Sequence, residues 1–410
     1  MLGNFSIMWA KFRVWGLPGV WSYFSRRYFW WKMERRLKRL AAMDADAVPE
    51  RGITLIGDFK EGASNSKTNR DFAHALKDAG IPFQTYSVDR RCTIPREDYE
   101  DILTPESEFR LHRYTHVIEM FRSPLPRGLV KNRARIAFWE GEHGMFDVWP
   151  FLRGKDPIIG MSDFNVEYFR RNPDGAPVYK IVYPLRKIDV KLPSVFEVRS
   201  RFGIAENAFV VFFNFDFGSY KRKNPIAAIK AFARAFRENP NCRLIFKVQG
   251  AKNHTTELAE VWSAAEAEGI RGQMQVITDY LSHGLLYGLT SACDVYLSLH
   301  HGEGFGIGMA EAMLFGKPVV ATDWSANTEF CQKGCSIPIP YRLIPVKQGE
   351  YFEAMKVWAD PDVDAAADAL RELYANPGLR ESLGRNAKTF IREHFSVSRF
   401  KQSVEAFLDD

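Results

Sequence analysis

The sequence has few cysteines and no long apolar run. Five cysteines among 410 residues are too few for a disulfide scaffold and predict reduced thiols in a cytosol. Cys331 and Cys335 are four positions apart, but no second pair or histidine cluster accompanies them, so we expect no zinc site. A run of about 18 apolar residues, which a membrane-spanning helix needs, is absent. We expect no signal peptide, because no uninterrupted apolar core with a cleavage site is present.

Acidic residues are scarce in the first 40 positions. Residues 1–40 contain nine basic residues and one acidic residue, Glu34, whereas the whole chain has a net charge of +6. The other residues therefore sum to −2, and a general nucleic-acid-binding surface is not expected. The same segment contains 11 of the chain's aromatic residues, including five of the ten tryptophans. Both the positive charge and the aromatic content are thus concentrated in an N-terminal extension, residues 1–45.

The extension is predicted to form two short amphipathic helices separated at Gly16–Gly19. Apolar side chains recur at helical spacing on both sides of this break, at Phe5, Met8, Trp9, Phe12, Trp15, Trp30, Met33, Leu37 and Leu40. Basic amphipathic helices with such aromatics are typical of segments that lie in a membrane interface. We therefore predict that residues 1–40 bind an anionic membrane surface, which would make the protein peripheral at the cytoplasmic face. The alternative is that these aromatics pack on the protein's own body.

The linker after the extension contains Asp44-Ala45-Asp46, which has the form of a metal-binding D-x-D motif. No predicted strand precedes it, so we interpret the match as chance and expect no metal site.

From Gly52 onward, strands alternate with helices, which predicts parallel sheets covered on both faces. A Gly/Ser/Asn-rich loop is predicted at Glu61–Asn69, followed by a helix to Ala79. One helix is predicted over Ala387–Leu408. The predicted strands are 53–57, 81–88, 115–120, 135–138, 158–161, 179–183, 208–217, 243–248, 274–277, 294–299 and 318–322. We therefore predict two Rossmann-like, doubly wound α/β domains that face a cleft, over residues 46–192 and 193–410.

The most informative segment runs from Asp294 to Phe330. A predicted strand ends near Leu299, a glycine-rich loop follows, and a helix starts near Ile307. The start of a helix offers amide donors and a positive dipole end to an anion. Glu303 lies in the loop and Glu311 lies just over one turn into the helix, so both carboxylates can face one ligand and accept hydrogen bonds from sugar hydroxyls. The alternative is a plain glycine-rich turn whose glutamate favours the helix dipole.

This segment resembles the glycosyltransferase group 1 family, whose members are retaining enzymes of the GT-B fold with a Glu-x7-Glu signature. Glu303 and Glu311 have that spacing, and Gly304-Phe305-Gly306 lies in the expected place. The resemblance implies that Glu311 holds the ribose hydroxyls and that Glu303 orients the donor hexose. It also implies that the Gly304, Phe305 and Gly306 amides stabilise the leaving diphosphate.

The resemblance covers residues 50–405 and is closest to a bacterial subgroup associated with cell-surface polysaccharides. The segment Phe213–Pro225 looks like the family's first donor-domain strand and loop, which implies that Ser219, Arg222 and Lys223 bind the donor or stabilise its diphosphate. The alternative for these cations is a solvated basic turn. On the acceptor side, the resemblance points to Gly62, Glu140 and His143, whose alternative is a set of ordinary loop residues.

The sequence therefore predicts a retaining hexosyltransferase that moves a sugar from a nucleotide-sugar to a lipid-linked or growing cell-surface glycan. In this interpretation residues 46–192 form the acceptor-side domain and residues 193–410 form the donor domain. Cations and a helix end can replace a metal, so we expect neither a divalent ion nor a cofactor. Two alternatives stay open, namely a phosphorylase or epimerase of the same fold and a catalytically silent, membrane-attached protein that binds nucleotide-sugar.

Overall fold

The computed structural model describes residues 24–25, 27–120, 125–126, 128–141, 146, 152–185, 191–347 and 355–410. Its strands are β1 (Glu50–Gly57), β2 (Phe83–Ser87), β3 (Tyr114–Met120), β4 (Asn132–Ile136), β5 (Ile158–Gly160), β6 (Val178–Lys180), β7 (Phe209–Asp216), β8 (Cys242–Gln249), β9 (Met274–Ile277), β10 (Val295–Ser298), β11 (Val319–Thr322), β12 (Ile337–Ile339), β13 (Tyr341–Pro345) and β14 (Val357–Pro361).

Helices follow most of these strands. They are α1 (27–43), α2 (Ser64–Ala79), α3 (Asp163–Phe169), α4 (Val195–Arg201), α5 (Tyr220–Lys223), α6 (Pro225–Phe236), α7 (Thr255–Ala267), α8 (His283–Ala292), α9 (Ile307–Leu314), α10 (Val363–Ala375), α11 (Pro377–His394) and α12 (Val397–Asp409). Within the described ranges, no helix is both long enough and apolar enough to cross a membrane.

Two six-stranded parallel sheets organise the chain, which confirms the predicted α/β class. The strand order is β2-β1-β3-β4-β5-β6 in the first sheet and β12-β11-β10-β7-β8-β9 in the second. The second order is that of a doubly wound fold, in which the chain reverses direction across the sheet between β7 and β10. Ligands of such sheets bind at this reversal point, beyond the carboxyl ends of the strands. The residues that follow β7 and β10 are therefore candidates for ligand binding.

The described residues pack as two compact units. One unit comprises the residues up to Ile136 together with Val404–Asp410, and the other comprises Ala137–Ser403. This division by packing differs from the predicted domain boundary at residues 192–193, which follows the order of elements along the chain. That boundary stays a prediction, and it falls between the last strand of the first sheet and the first strand of the second.

In the first unit, α1 covers part of the hydrophobic core with one face. Leu37 and Ala41 are buried against a cluster that includes Ile56, Phe109 and Val117, and Trp30, Met33 and Leu40 pack on the same cluster. The helical stripe predicted from Trp30 to Leu40 is therefore an inward, core-covering face. The opposite face of α1 is exposed and contains Arg27, Tyr28, Trp31, Lys32, Arg35, Lys38 and Arg39. The first predicted amphipathic segment, with Gly16–Gly19, lies outside the described residues.

The core of the second unit is rich in phenylalanine. Along β7, Phe212, Phe213 and Phe215 are buried, and the ring of Phe213 contacts that of Phe246 on the neighbouring strand β8 at 5.8 Å between centroids. β7 and β8 pair in register from Phe209 to Asp216. Because buried strands of a parallel sheet have both faces covered, a nearly continuous apolar run is expected there. This buried, paired strand positions the start of the loop that follows it.

Several predicted elements differ from the structure in their bounds, and two of them differ in kind or continuity. The predicted loop at Glu61–Asn69 was wrong after its first three residues, because α2 begins at Ser64. Polar side chains of its first turns have partners close by, since the Thr68 hydroxyl donates to the Ser64 carbonyl at 3.0 Å and the Asn69 side-chain amide donates to the carbonyl of Asp58, before the helix, at 2.9 Å. Polar composition thus indicated a loop where local hydrogen bonds support a helix.

The prediction of one continuous helix over Ala387–Leu408 was also wrong, because this segment belongs to two helices. α11 ends at His394 and α12 begins at Val397. Phe395 lies in the break and is buried against the rings of Phe305 and Phe330. The break therefore lets a large apolar side chain turn into the core.

Candidate active site

Three loops of the second unit converge where β7, β10 and β11 end. β7 pairs with β10, and β10 pairs with β11, all in parallel. The loop and short helix α5 after β7 contain Ser219, Arg222 and Lys223, and the loop after β10 contains Glu303. Because parallel neighbours end at the same edge of a sheet, these side chains meet there. The loop after β11, residues 323–327, completes the edge.

Glu303 is the centre of the ionic contacts at this edge. Its side chain accepts a hydrogen bond from the Lys223 ammonium, and the Arg222 Nη1 atom lies 3.3 Å from its Oε2. Glu303 is only 4% exposed. A buried carboxylate is stable only when it is paired, and here two cations pair with it. The structure therefore brings together the three residues that the resemblance marked as catalytic.

The charge state of Glu303 follows from two opposed effects. Burial raises the pKa of its carboxyl, but the positive charges of Lys223 and Arg222 outweigh burial and hold the pKa at about 2. The group is therefore a carboxylate at any physiological pH. It can accept hydrogen bonds from hydroxyl groups, but it cannot supply a proton.

Besides Glu303, Arg222 contacts three further groups of the site. Its guanidinium donates to the Gly302 carbonyl at 2.8 Å and to the Ser219 hydroxyl at 3.3 Å, and its Nε lies 3.2 Å from the Glu140 carboxylate. The predicted residues Ser219 and Glu140 are thereby joined to Glu303 through one side chain. His143, predicted beside Glu140, lies outside the described residues.

The glycine-rich loop allows close approach between backbones. A side chain at Gly302 would place its Cβ 2.4 Å from the Glu140 carbonyl oxygen, which no real Cβ tolerates. Gly306, directly before α9, has a φ of 99° and so adopts a backbone conformation that favours glycine. Gly304 lies between them, in the segment that leads to the start of α9. The loop can therefore bring its backbone against a ligand at the edge of the sheet.

Phe305 has a packing role in the structure. Its ring is 3% exposed and stacks on that of Tyr183 at 4.2 Å between centroids. The buried side chain thus anchors the loop to the core, and only the backbone of Phe305 is a candidate for ligand contact. The assignment of Phe305 to donor binding through its amide stays a prediction.

Glu311 lies on α9 and accepts a hydrogen bond from the Tyr287 hydroxyl at 3.1 Å. Tyr287 belongs to α8, and sequence reasoning did not select it. No motif surrounds Tyr287, and only the packing of α8 beside α9 reveals the contact. A carboxylate that already accepts from a phenol retains further lone pairs for ribose hydroxyls.

His300 is a second residue near the site that the sequence did not indicate. Its ring is fully buried, and neither ring nitrogen has a hydrogen-bond partner in the described part of the chain. Burial, together with the Lys223 and Arg222 charges, outweighs the opposing effect of Glu303 and lowers the pKa of this imidazole to about 3. The ring is therefore neutral at pH 7. Its position two residues after β10, directly before the Glu303 loop, was the signal that could have marked it.

Gly62 belongs to the first unit. Its amide donates to the Thr93 hydroxyl at 3.0 Å, and the preceding residues Phe59 and Lys60 donate their amides to Asp89. Burial, with the neighbouring Asp89 and Glu61 carboxylates, raises the pKa of Asp58 to about 7. Gly62 thus lies in an ordered loop after β1, and its assignment to the acceptor side stays a prediction.

The described residues contain no group of three or more metal-ligating side chains. Asp44 of the D-x-D sequence accepts a hydrogen bond from the His112 amide at 2.7 Å, which gives it a structural contact. All five cysteines are free thiols, and four of them, including Cys331 and Cys335, are buried.

Several solved structures of other proteins have a similar fold. The structure is similar to that of HepE (Alr3699) from Anabaena in complex with UDP and glucose, with a TM-score of 0.60, 14% identity, and coverage of 88% of this chain and 100% of that chain. A glycosyltransferase from Rickettsia africae gives a TM-score of 0.64 at 13% identity, with coverage of 88% and 98%. WaaG, a glycosyltransferase involved in lipopolysaccharide biosynthesis, gives 0.58 at 14% identity, with coverage of 87% and 99%. The chain thus has the fold of GT-B glycosyltransferases.

A comparison of the sequence with family models matches part of the chain. Residues 197–336 match the family model described as glycosyl transferases group 1, which confirms the resemblance for the segment that contains Arg222, Glu303 and Glu311. No curated protein sequence matches the chain.

Proposed function

We propose that the protein is a retaining hexosyltransferase that moves a sugar from a nucleotide-sugar to a hydroxyl of a lipid-linked or growing cell-surface glycan. The observation that carries the proposal is the buried Glu303 carboxylate held by Lys223 and Arg222 where β7 and β10 end. This is the reversal point of a doubly wound sheet, where nucleotides bind. The matched family segment contains all three residues.

The charges suit departure of a nucleoside diphosphate. When the bond between the sugar's anomeric carbon and the diphosphate breaks, negative charge develops on the phosphate oxygens. Arg222 and Lys223 follow β7 and are preorganised to stabilise this charge, together with the amides at the start of α9. The Glu303 carboxylate accepts hydrogen bonds from hexose hydroxyls and orients the ring, and Glu311 accepts from the ribose. In this account cations and amides take the place of a divalent ion.

The donor and acceptor classes are supported by relatives of the same fold. HepE was crystallised with UDP and glucose, and WaaG takes part in lipopolysaccharide biosynthesis. Both are consistent with a nucleotide-sugar donor and a glycan acceptor for this chain.

Thermal stabilisation by a panel of nucleotide-sugars tests donor binding. A ligand that binds only the folded state raises the melting temperature. We expect one nucleotide family to stabilise the wild-type protein, and Glu311→Ala to lose most of that shift because the ribose loses its acceptor. Glu266→Ala, which changes an exposed glutamate on α7, is the control and should keep the shift. A panel without any stabilising nucleotide-sugar would contradict the proposal.

The exposed face of α1 supports a membrane-peripheral location at the cytoplasmic side. Tyr28 is 64% exposed and Trp31 is 49% exposed. The Arg35 guanidinium lies over the Trp31 ring at 4.8 Å. Aromatic rings with adjacent cations can insert at the interface while the cations contact anionic head groups. The inner face of α1 packs on the protein's own core, so the proposed membrane contact concerns its exposed outer face alone.

Flotation with anionic vesicles tests this location. The triple variant Lys32→Ser, Arg35→Ser, Arg39→Ser removes three exposed cations from α1, and we expect it to float at least tenfold less than wild type, since each engaged cation contributes about 1 kcal/mol. The triple variant Lys230→Ser, Lys252→Ser, Lys333→Ser removes three exposed cations from the second unit and should float like wild type. Equal flotation of both variants would refute the role of α1.

A further inference from the structure

Ser325 has a backbone conformation that serine disfavours. Its φ is 70° and its ψ is −154°, a combination that is adopted almost only by glycine. Among the described residues, Asn224 is the other non-glycine residue with positive φ, and its ψ of 53° puts it in the ordinary left-handed region that asparagine tolerates. Ser325 is 2% exposed. A buried serine under such strain calls for a function of its side chain.

The side chain of Ser325 contacts the backbone of Glu303. The Glu303 amide donates a hydrogen bond to the Ser325 hydroxyl oxygen at 2.6 Å. The next residue, Ala326, donates its amide to the Glu303 carbonyl at 3.2 Å. The amide and the carbonyl of Glu303 are thus both held by the loop that follows β11.

The turn around Ser325 is itself fixed. The Thr328 hydroxyl donates to the Ser325 carbonyl at 2.7 Å, and the Trp324 amide donates to the Thr322 carbonyl at 2.9 Å. Thr322 in turn donates its hydroxyl to the His300 carbonyl at 2.7 Å. These bonds tie the loop after β11 to the loop after β10, so the strain at Ser325 is maintained by its surroundings.

We propose that Ser325 is a positioning residue for the transfer reaction and holds the Glu303 backbone so that its carboxylate faces the donor sugar. The inference rests on the proposed function, because it takes Glu303 as the group that orients the hexose. Glycine would relax the backbone at this position, but it could not accept the hydrogen bond from Glu303. The hydroxyl therefore explains why a serine occupies a conformation suited to glycine.

The test separates stability from turnover by comparing Ser325→Gly with Ser325→Ala. Both variants lose the hydroxyl, and only glycine relieves the strain. We expect Ser325→Gly to melt about 1–3 °C above Ser325→Ala. Both should lose about tenfold or more in kcat, because a small displacement of a catalytic group is costly. KM for the donor should change less than threefold, since Glu311 is untouched.

Ser336→Ala is the matched control. Ser336 is a buried serine whose hydroxyl donates to the Gln332 carbonyl at 3.0 Å, away from Glu303. This variant should lose stability and keep wild-type kcat. Ser325→Gly with wild-type kcat would overturn the inference and assign the hydroxyl a structural role alone. Glu303→Gln, measured in parallel, isolates the proposed function: if it also turns over at the wild-type rate, the proposed function is wrong, and the role of Ser325 fails with it.

Discussion

Glu303 shows how much of a site a local motif can predict at the scale of single residues. The family resemblance carried by the spacing between Glu303 and Glu311 and by the basic string after β7 predicted that Arg222, Lys223 and Glu303 belong to one site. The hydrogen bonds of Tyr287 to Glu311 and of Ser325 to Glu303 join residues more than twenty positions apart. Such partners depend on how helices and loops pack, and no pattern in the sequence encodes them locally.

His300 makes the stability of the protein depend on pH. Its pKa is about 3 in the folded protein and 6.5 in the unfolded chain. Between these values the unfolded chain binds the additional proton, so stability falls as the pH decreases from 6.5 towards 3. We expect His300 alone to lower the free energy of unfolding by on the order of 2 kcal/mol between pH 7 and pH 5.

Urea unfolding of wild type and His300→Asn at pH 7 and pH 5 measures this contribution. The variant should lose less stability than wild type on acidification, whatever its stability at pH 7. The same loss in both proteins would mean that the imidazole is protonated, or exposed to solvent, in the folded state.

At the scale of elements, α1 illustrates both the strength and the limit of periodicity. The stripe of Trp30, Met33, Leu37 and Leu40 was predicted as an apolar face, and in the structure it packs on the core of the first unit. Periodicity could not decide between a membrane and the protein's own core as the partner of that face, because both are apolar surroundings. The start of α2 and the break before α12 were missed because tertiary and side-chain contacts override local composition.

Leu37→Ala and Trp31→Ala distinguish the two faces of α1. Leu37 is fully buried, so its truncation should lower the free energy of unfolding by about 3 kcal/mol. Trp31 is half exposed, and its truncation should cost less than about 1 kcal/mol. Unfolding midpoints in urea measure both effects. Similar midpoints for the two variants would contradict the packing of α1 on the core.

At the scale of the whole molecule, alternation of strands and helices was sufficient to predict two α/β sheets. It did not predict the strand order, since the sequence does not state on which side of β7 each later strand adds. Nor did it predict the antiparallel pairing of β13 with β14. Trp358 of β14 stacks on His301, in the loop after β10, at 4.4 Å between ring centroids. The order observed in the second sheet supports the assignment of the site, because it places the chain reversal between β7 and β10, where ligands of such sheets bind.

We propose that the residues at this reversal point transfer sugar from a nucleotide-sugar without a metal. Release of nucleoside diphosphate from a panel of nucleotide-sugars, measured with a glycan acceptor and EDTA, tests it most directly. We predict that the wild-type protein turns over one donor under these conditions. Glu303→Gln should be slower by on the order of 10²-fold or more, because the charge that orients the sugar is lost. Equal rates for wild type and Glu303→Gln, or turnover only after a divalent ion is restored, would contradict the account.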